Sequence, residues 1–397
     1  MTHMKLGMNA LIVMGLATST FAADTLEDAF KKGKVTGEIR AYYFERDTGT
    51  KDANIFATGL MLNYVTDSFK GFKLGATFQS SSTPFADDDA KALFIRDMWA
   101  QGAQLSEAYL AYTLGKTETK VGRMYLNTPL IAGSGSRLVR ESFEGASIIN
   151  TDLPSTTLGA VYIDKFQART NRAGDLGEFA QYGDGVYSLY AINKSITGLT
   201  LMGAWAQIND YHKVLKTALD TDLDIYAAEI IYENKVGTFG YTLSGQYWFN
   251  KYSSTLAGTD DTINGYGLKA GASYADLSGY LAYSKISDDT VAANQLLHGV
   301  GNGSDLIYTN SLISSYNYDP DMKAYAANLE YALTPSAKIG TLYTYTDTKN
   351  VEVSYTGFYA SYTFSGSLKG VNLIAQYENL GEDQDGHELR FKGAYKF

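Results

Sequence analysis

The chain of 397 residues has no cysteine, five prolines, four histidines and three tryptophans. Without cysteine there is no disulfide scaffold and no thiolate metal site. So few prolines exclude a proline-rich disordered chain, and 39 glycines without a three-residue period exclude a collagen-like repeat. Basic residues are the minority charge: 33 Lys and Arg against 43 Asp and Glu give −10, which argues against nucleic acid as a partner. Beyond the N-terminus, no stretch approaches the ~20 apolar residues of a spanning helix. What the chain holds in quantity is tyrosine, 32 residues against 18 phenylalanines. A tyrosine-rich, glycine-rich, acidic, cysteine-free chain fits a β-barrel of the outer membrane.

The N-terminus agrees with that compartment. Lys5, the apolar run from Ala10 to Ala17 and the small residues Thr20 and Ala22 before Ala23-Asp24 read as a cleaved signal peptide over 1–22. Loss of Lys5 takes the mature charge to −11. In the segment 23–33, Leu26, Ala29 and Phe30 fall at helical spacing, which predicts a short helix on the periplasmic side. It is too short for a plug domain.

From residue 34 to the end the dominant period is two, the repeat of a strand with one apolar and one wet face. Phe239, Tyr241, Leu243, Gly245, Tyr247 and Phe249 share one side. Thr242, Ser244, Gln246 and Asn250 share the other, with Trp248 as its one bulky ring. Eighteen such segments can be counted from 34–46 to 388–397, an even number that returns both ends to the periplasm. Every second connection is short, as at 115–117, 195–198 and 275–276. The long ones include 81–104, 127–141, 169–184 and 287–321, and all five prolines fall between strands. The fold class is therefore all-β: a transmembrane antiparallel barrel over 34–397, with short periplasmic turns and long extracellular loops. Outer-membrane lipid and lipopolysaccharide are its surroundings.

Such a barrel is too wide to be filled by its own strand side chains, which predicts a water-filled lumen narrowed by an inward loop. Parity places Arg40, Lys73, Lys269, Arg390 and Lys392 on the wet face, with Glu38, Glu229 and Glu330. A charge there can equally be a solvated wall group. Catalytic readings have little to stand on: His298 with Asp305 is the one rim pair of interest, without fixed spacing to support it. No metal or cofactor motif is present, although acidic loops can hold Ca²⁺ weakly. An adhesive or structural barrel carried by the loop 287–321, or a rim hydrolase, remains the alternative to a channel.

Three stretches carry more. Gly122-Arg123-Met124-Tyr125-Leu126-Asn127-Thr128-Pro129 is followed by Ser136-Arg137-Leu138-Val139-Arg140-Glu141-Ser142-Phe143-Glu144-Gly145, and then by Tyr162-Ile163-Asp164-Lys165-Phe166-Gln167-Ala168-Arg169. This series resembles the OprD-type family of outer-membrane porins, in which Thr-Pro, Ser-Arg-Leu and Phe-Glu-Gly run through the constricting loop into the next strand. The final strand, ending at Phe397, resembles the signal read by the barrel-assembly machinery. The resemblance implies an eighteen-stranded monomeric pore, a ladder of basic groups on one wall and carboxylates or carbonyls opposite. A homotrimer stays open. It also implies a constriction that includes Arg123, Arg137, Arg140, Glu144, Lys165 and Arg169. Arg140 departs from the family pattern, which has proline there. Arg137 could instead pin the loop by pairing with Glu141 or Glu144. The expected function is passive diffusion of small hydrophilic solutes, carboxylates and other small anions or zwitterions foremost. The acids Asp87, Asp88, Asp89 and Asp97 and the net charge argue for a competing cation-attracting vestibule.

Overall fold

A computed structural model describes residues 23–216, 220–255, 258–305 and 307–397; the signal peptide expected over 1–22 lies outside them. The first strands are β1 (Lys34–Asp47), β2 (Asp52–Val65), β3 (Phe72–Ser81), β4 (Gly102–Leu114), β5 (Thr117–Met124) and β6 (Ser142–Asn150). Then come β7 (Thr156–Gln167), β8 (Phe179–Asn193), β9 (Leu199–Ile208), β10 (Leu223–Val236), β11 (Phe239–Tyr252) and β12 (Thr262–Tyr274). The last are β13 (Leu277–Ile286), β14 (Lys323–Thr334), β15 (Ala337–Asp347), β16 (Glu352–Thr363), β17 (Val371–Glu382) and β18 (Gly386–Lys396). The eighteen expected segments are all present. The largest boundary difference is β8, which starts at 179 rather than 185 because Phe179–Gln181 pair with Lys165–Gln167 beyond a register shift.

Each strand pairs antiparallel with its neighbours in sequence, and β18 closes on β1 from Glu38↔Lys396 to Asp47↔His387. Closure gives every strand a partner on both sides, the condition for a sheet in hydrocarbon, and the shortest ladder is that of β2 with β3, Met61↔Gln79 to Val65↔Gly75. The terminal residue completes the seam: Phe397 N–H donates to Gly37 O at 3.0 Å and Gly37 N–H to Phe397 O at 2.9 Å, while the Phe397 ring stays exposed.

The outward face is apolar, with Leu110, Leu189, Ile230, Leu243, Leu268, Leu281 and Leu329 exposed on it. Near the outer ends of β12 to β15, Tyr266, Tyr283, Tyr325 and Tyr345 form a continuous row with centroid spacings of 6.1, 5.1 and 6.4 Å. At the opposite end lie the pairs Phe72–Tyr112 and Tyr395–Phe397. Phenol rings at both rims suit the headgroup layers on either side of the hydrocarbon. On the periplasmic side, α1 (Leu26–Lys31) begins at Thr25, whose side chain accepts from Asp28 N–H. It docks on the turn after β2 through Asp67 N–H to Ala29 O at 2.9 Å.

Three outer loops turn inward rather than standing above the rim: L2 (82–101), L3 (125–141) and L7 (287–322). L2 contains the helix α2 (Asp88–Leu93), capped by the Asp87 carboxylate on Ala90 N–H at 2.8 Å. Its Ala90, Phe94 and Met98 pack on Tyr42, Phe44, Ile55 and Ala57 of the inner wall and on Leu138 of L3. L3 and L7 seal a larger apolar surface made by inward residues of β7 to β13, among them Ile163, Val186, Ile208, Ile225, Trp248 and Ile263. Leu130 and Ile131 of L3 and Leu296 and Val300 of L7 complete that core. The sequence predicts one in-folded loop near 127–141; in the structure residues of L2, L3 and L7 all pack against the inner wall.

Candidate functional site

L3 and L7 are joined across the lumen by a short parallel bridge, Ile131↔Val300, with Ala132 N–H donating to Val300 O at 3.0 Å and Val300 N–H to Leu130 O at 2.8 Å. The approach is close enough to require glycine. Gly301 has φ +83°, and a Cβ there would strike the Ala132 carbonyl. Glu141 locks the same junction. It is fully buried and accepts from Ser134 N–H at 2.9 Å, from Asn302 N–H at 3.0 Å and from the Asn302 side chain.

The far end of L7 is held by the barrel wall. Glu378 of β17, fully buried, accepts from the backbone N–H groups of Leu312, Ile313 and Ser314 at 2.7, 3.1 and 2.7 Å. The Tyr308 hydroxyl donates to Glu229 Oε1 at 2.7 Å, and Asn250 exchanges two hydrogen bonds with the Leu297 backbone. L7 thus spans from β10 and β11 to β17, and it divides the lumen.

Two polar cavities among the described residues meet at a single ring. The outer one, about 600 Å³, opens at Asp47, Asp383 and Asp385. The inner one, about 790 Å³, descends past Arg40, Tyr42 and Glu38 to Lys396. Both are lined by Arg137, Arg169, Arg390, Ile313, Ser314 and Ser315. These six form the eyelet: three guanidinium groups facing the L7 segment that Glu378 clamps. Arg390 Nη2 donates to Ile313 O at 3.3 Å across it.

Below the eyelet, Lys392 and Arg40 continue the positive wall, Lys392 over the Phe44 ring at 5.6 Å and Arg40 bonded to Leu138 O at 2.8 Å and Glu38 at 2.9 Å. Phe44 is the shared floor, with Arg390 at 4.7 Å and Arg137 at 5.7 Å from its centroid. An aromatic face attracts these cations and holds them at the wall without neutralising them.

The eyelet charges are linked. Asp97 of L2 reaches Arg137 at 2.5 Å, Arg46 at 2.7 Å and Arg169 at 3.7 Å. Arg46 also pairs with Glu388 at 2.7 Å, Glu388 with Arg390 at 2.6 Å, and Arg169 with Glu141 at 3.4 Å. Burial by itself raises the Asp97 carboxyl, but Arg137, Arg46 and Arg169 outweigh it and hold the group well below the ordinary carboxylate range. Arg169 is lowered by its burial, with Glu141 opposing; a guanidinium keeps its charge regardless.

Of the residues expected at the constriction, the structure brings Arg137 and Arg169 together at the eyelet. The partner of Arg137 is Asp97, not Glu141 or Glu144. Arg140 lines the inner cavity, its guanidinium 4.2 Å over the Tyr125 ring, and its N–H donates to Gln79 Oε1 at 3.0 Å, a bond that proline could not make. Arg123, Glu144 and Lys165 gather elsewhere. Glu144 takes Arg123 at 2.9 Å and Lys165 at 2.7 Å. Arg123 follows the outward parity of Val121, 56% exposed, and Glu144 that of Ile148, 43% exposed, while the alternate residues Met124 and Phe143 enter the inner core. A register shift at Glu144/Gly145 brings Lys165 to the same side.

Lys73 follows the inward parity of Thr77 and Gln79, both buried. Lys269 lies under L7, 4.4 Å from the Tyr308 ring. Asp305 accepts from the Tyr318 hydroxyl at 3.0 Å, and His298 Nδ1 meets Ser304 O, so the two do not form a dyad. In the outer loop before β10, Asp210, His212 and Asp220 converge, but Lys213 already occupies Asp210 at 2.8 Å. Parity on β1 and β18 was the available signal for Arg46 and Glu388. The sequence marks Asp97 only as one of the vestibule acids and Glu141 only as a candidate tether for Arg137, and nothing local marks Glu378 as a site residue.

A closed eighteen-stranded barrel with loops folded into a polar lumen has the architecture of an outer-membrane porin. The family model for outer membrane porins of the OprD family matches residues 97–378, and the chain belongs to that family. Among solved structures it is similar to OccAB2 of Acinetobacter baumannii, at 18% identity over 93% of this chain and 99% of that one, TM-score 0.76. OpdO of Pseudomonas aeruginosa follows at 16% over 94% and 98%, TM-score 0.75. OpdK of the same organism, solved with vanillate, stands at 16% over 93% and 99%, TM-score 0.74. No curated protein sequence matches the chain.

Proposed function

We propose that this porin passes small hydrophilic solutes by passive diffusion and favours those carrying a carboxylate or another small anionic group. The observation that carries this reading is the shared lining of the two cavities: any solute crossing from one to the other passes Arg137, Arg169 and Arg390. Cations on a low-dielectric wall attract and orient an anion, and a wall that already neutralises part of their charge lets it go again. The presence of vanillate, a carboxylate, in the OpdK structure supports the same solute class.

The folding of L7 into the lumen favours a channel over an adhesin, because its central residues are spent on the barrel interior. Lipopolysaccharide around the apolar belt and the barrel-assembly machinery at the exposed Phe397 ring complete the proposed partners.

The test is single-channel conductance of the refolded mature protein in a planar bilayer, with the reversal potential read under a salt gradient. Discrete openings with anion preference are expected, and Arg137→Ala should move the preference toward cations. An unchanged reversal potential in Arg137→Ala removes the basic eyelet. Cation preference in the wild type would hand selectivity to Asp47, Asp383 and Asp385 at the outer mouth.

A further inference from the structure

The seven charged groups at the eyelet form one connected network of six ion pairs, and Asp97 makes three of them. Without Asp97 the network falls apart unevenly. Arg46 and Arg390 keep Glu388, and Arg169 keeps Glu141. Among the described residues, Arg137 has no other ion-pair partner. Asp97 therefore decides how much of the Arg137 charge a passing solute meets.

Its position is fixed by apolar contacts that have nothing to do with charge. Phe94 and Met98 on either side of it are buried against Phe44, Ile55 and Leu138. Arg96, at φ +60°, turns the chain between them, and Asp97 N–H donates to Phe94 O at 3.0 Å. The Arg46 guanidinium, 4.7 Å over the Phe94 ring, also reaches Leu93 O at 3.1 Å. The carboxylate thus arrives from a loop separate from both L3 and L7, held rigidly against the wall that carries the arginines.

We propose that Asp97 is the specificity-setting residue of the eyelet: a resident carboxylate that positions Arg137 and Arg169 and competes with the permeating anion for Arg137. In transit, the solute's anionic group replaces the Asp97 carboxylate on Arg137 and is displaced by it in turn. One carboxylate exchanges for another, so the guanidinium is never left unpaired and the returning Asp97 carboxylate releases the solute. The network holds four guanidinium groups against three carboxylates, a surplus of one positive charge. Replacing Asp97 by a neutral isostere doubles that surplus at the ring that the two cavities share.

This inference rests on the lumen being the solute path, and the experiment separates the two. Reversal potentials in potassium chloride and potassium acetate gradients are compared for wild type, Asp97→Asn, Asp97→Glu, Arg137→Gln and the double variant Asp97→Asn/Arg137→Gln. With wild type conducting, Asp97→Asn is expected to raise the anion-to-cation permeability ratio at least about twofold. Asp97→Glu should restore it toward wild type, an outcome that a merely structural role would not produce. Should Asp97→Asn fail to fold, the double variant, which keeps the wild-type surplus of one positive charge, carries the test: its ratio should lie near that of wild type. A folded Asp97→Asn with an unchanged or more cation-preferring ratio overturns the proposal, as does a double variant no different from Arg137→Gln. A silent wild-type barrel overturns the channel reading instead.

Discussion

The inner wall of this barrel is used in two ways. From β7 to β13 it behaves as a protein core: Ile163, Ile225, Trp248 and Ile263 point inward and are covered by Leu130, Ile131, Leu296 and Val300. Along β1, β17 and β18 it carries Arg40, Arg46, Arg390, Lys392, Glu378 and Glu388, and borders the open path. The contrast shows how a wide barrel makes a narrow pore. Loops packed against one side displace the water there and push the remaining lumen onto the charged side. L7 belongs to both walls, held by packing to the first and by the Glu378 carboxylate to the second.

That division predicts separable phenotypes. The largest change is expected from Glu378→Ala, which orphans three backbone N–H groups, each costing about 1–3 kcal/mol when buried without a partner. The 312–314 segment should leave the charged wall, and single-channel conductance should rise about twofold or more with little change in unfolding midpoint. Equal conductance in a folded variant would mean that packing alone holds L7.

Trp248→Ala tests the other wall. The side chain is 1% exposed within the apolar core, and its loss should cost about 3–5 kcal/mol in denaturant unfolding of the reconstituted barrel. The reversal potential should stay where it is. A shift in ion preference would show that the two walls are coupled.

The smallest effect concerns pH. Asp97 is held below its ordinary value of 3.8, so its contribution to anchoring L2 is complete above that value and is lost only as pH falls further, through its depressed folded value. Reversal potentials from pH 7 to about 5 should be flat with respect to this group. A loss of tryptic resistance at Arg96 within that window would contradict the ion-pair anchor.

The charged wall is partly legible in the sequence and the apolar wall hardly at all. Parity alone orients Arg40, Arg390 and Lys392, because each lies on a strand with an unambiguous greasy face, such as Leu389 and Phe391 on β18. On β10 that signal vanishes: Ile225 and Ala227 face inward while Tyr226 and Ile230 face outward, so both faces are apolar. Trp248 and Tyr252, two rings on a side of β11 that is otherwise Gly, Thr, Ser, Gln and Asn, are the local sign that something covers the wall.

The motif 136–145 points to Arg137, which lines both cavities, but cannot name its partner. Asp97 lies 40 residues away and is delivered by the packing of α2. With its flanking stretches the motif also draws in Arg123, Glu144 and Lys165, whose side is fixed by strand parity and a bulge, which no short pattern encodes.

The bridge between L3 and L7 has a consequence in time. Glu141 and Asn302 are 161 residues apart, and the seam between β1 and β18 joins the two ends of the sheet. Contacts of such high sequence separation form late. Until L7 folds in, the inner surface of β7 to β13 is an uncovered greasy trough. The eyelet exists only once L3, L7 and β18 have come together. A chain interrupted before L7 has no pore to narrow, only a sticky half-cylinder with an aggregation hazard on the face that the finished protein turns into its core.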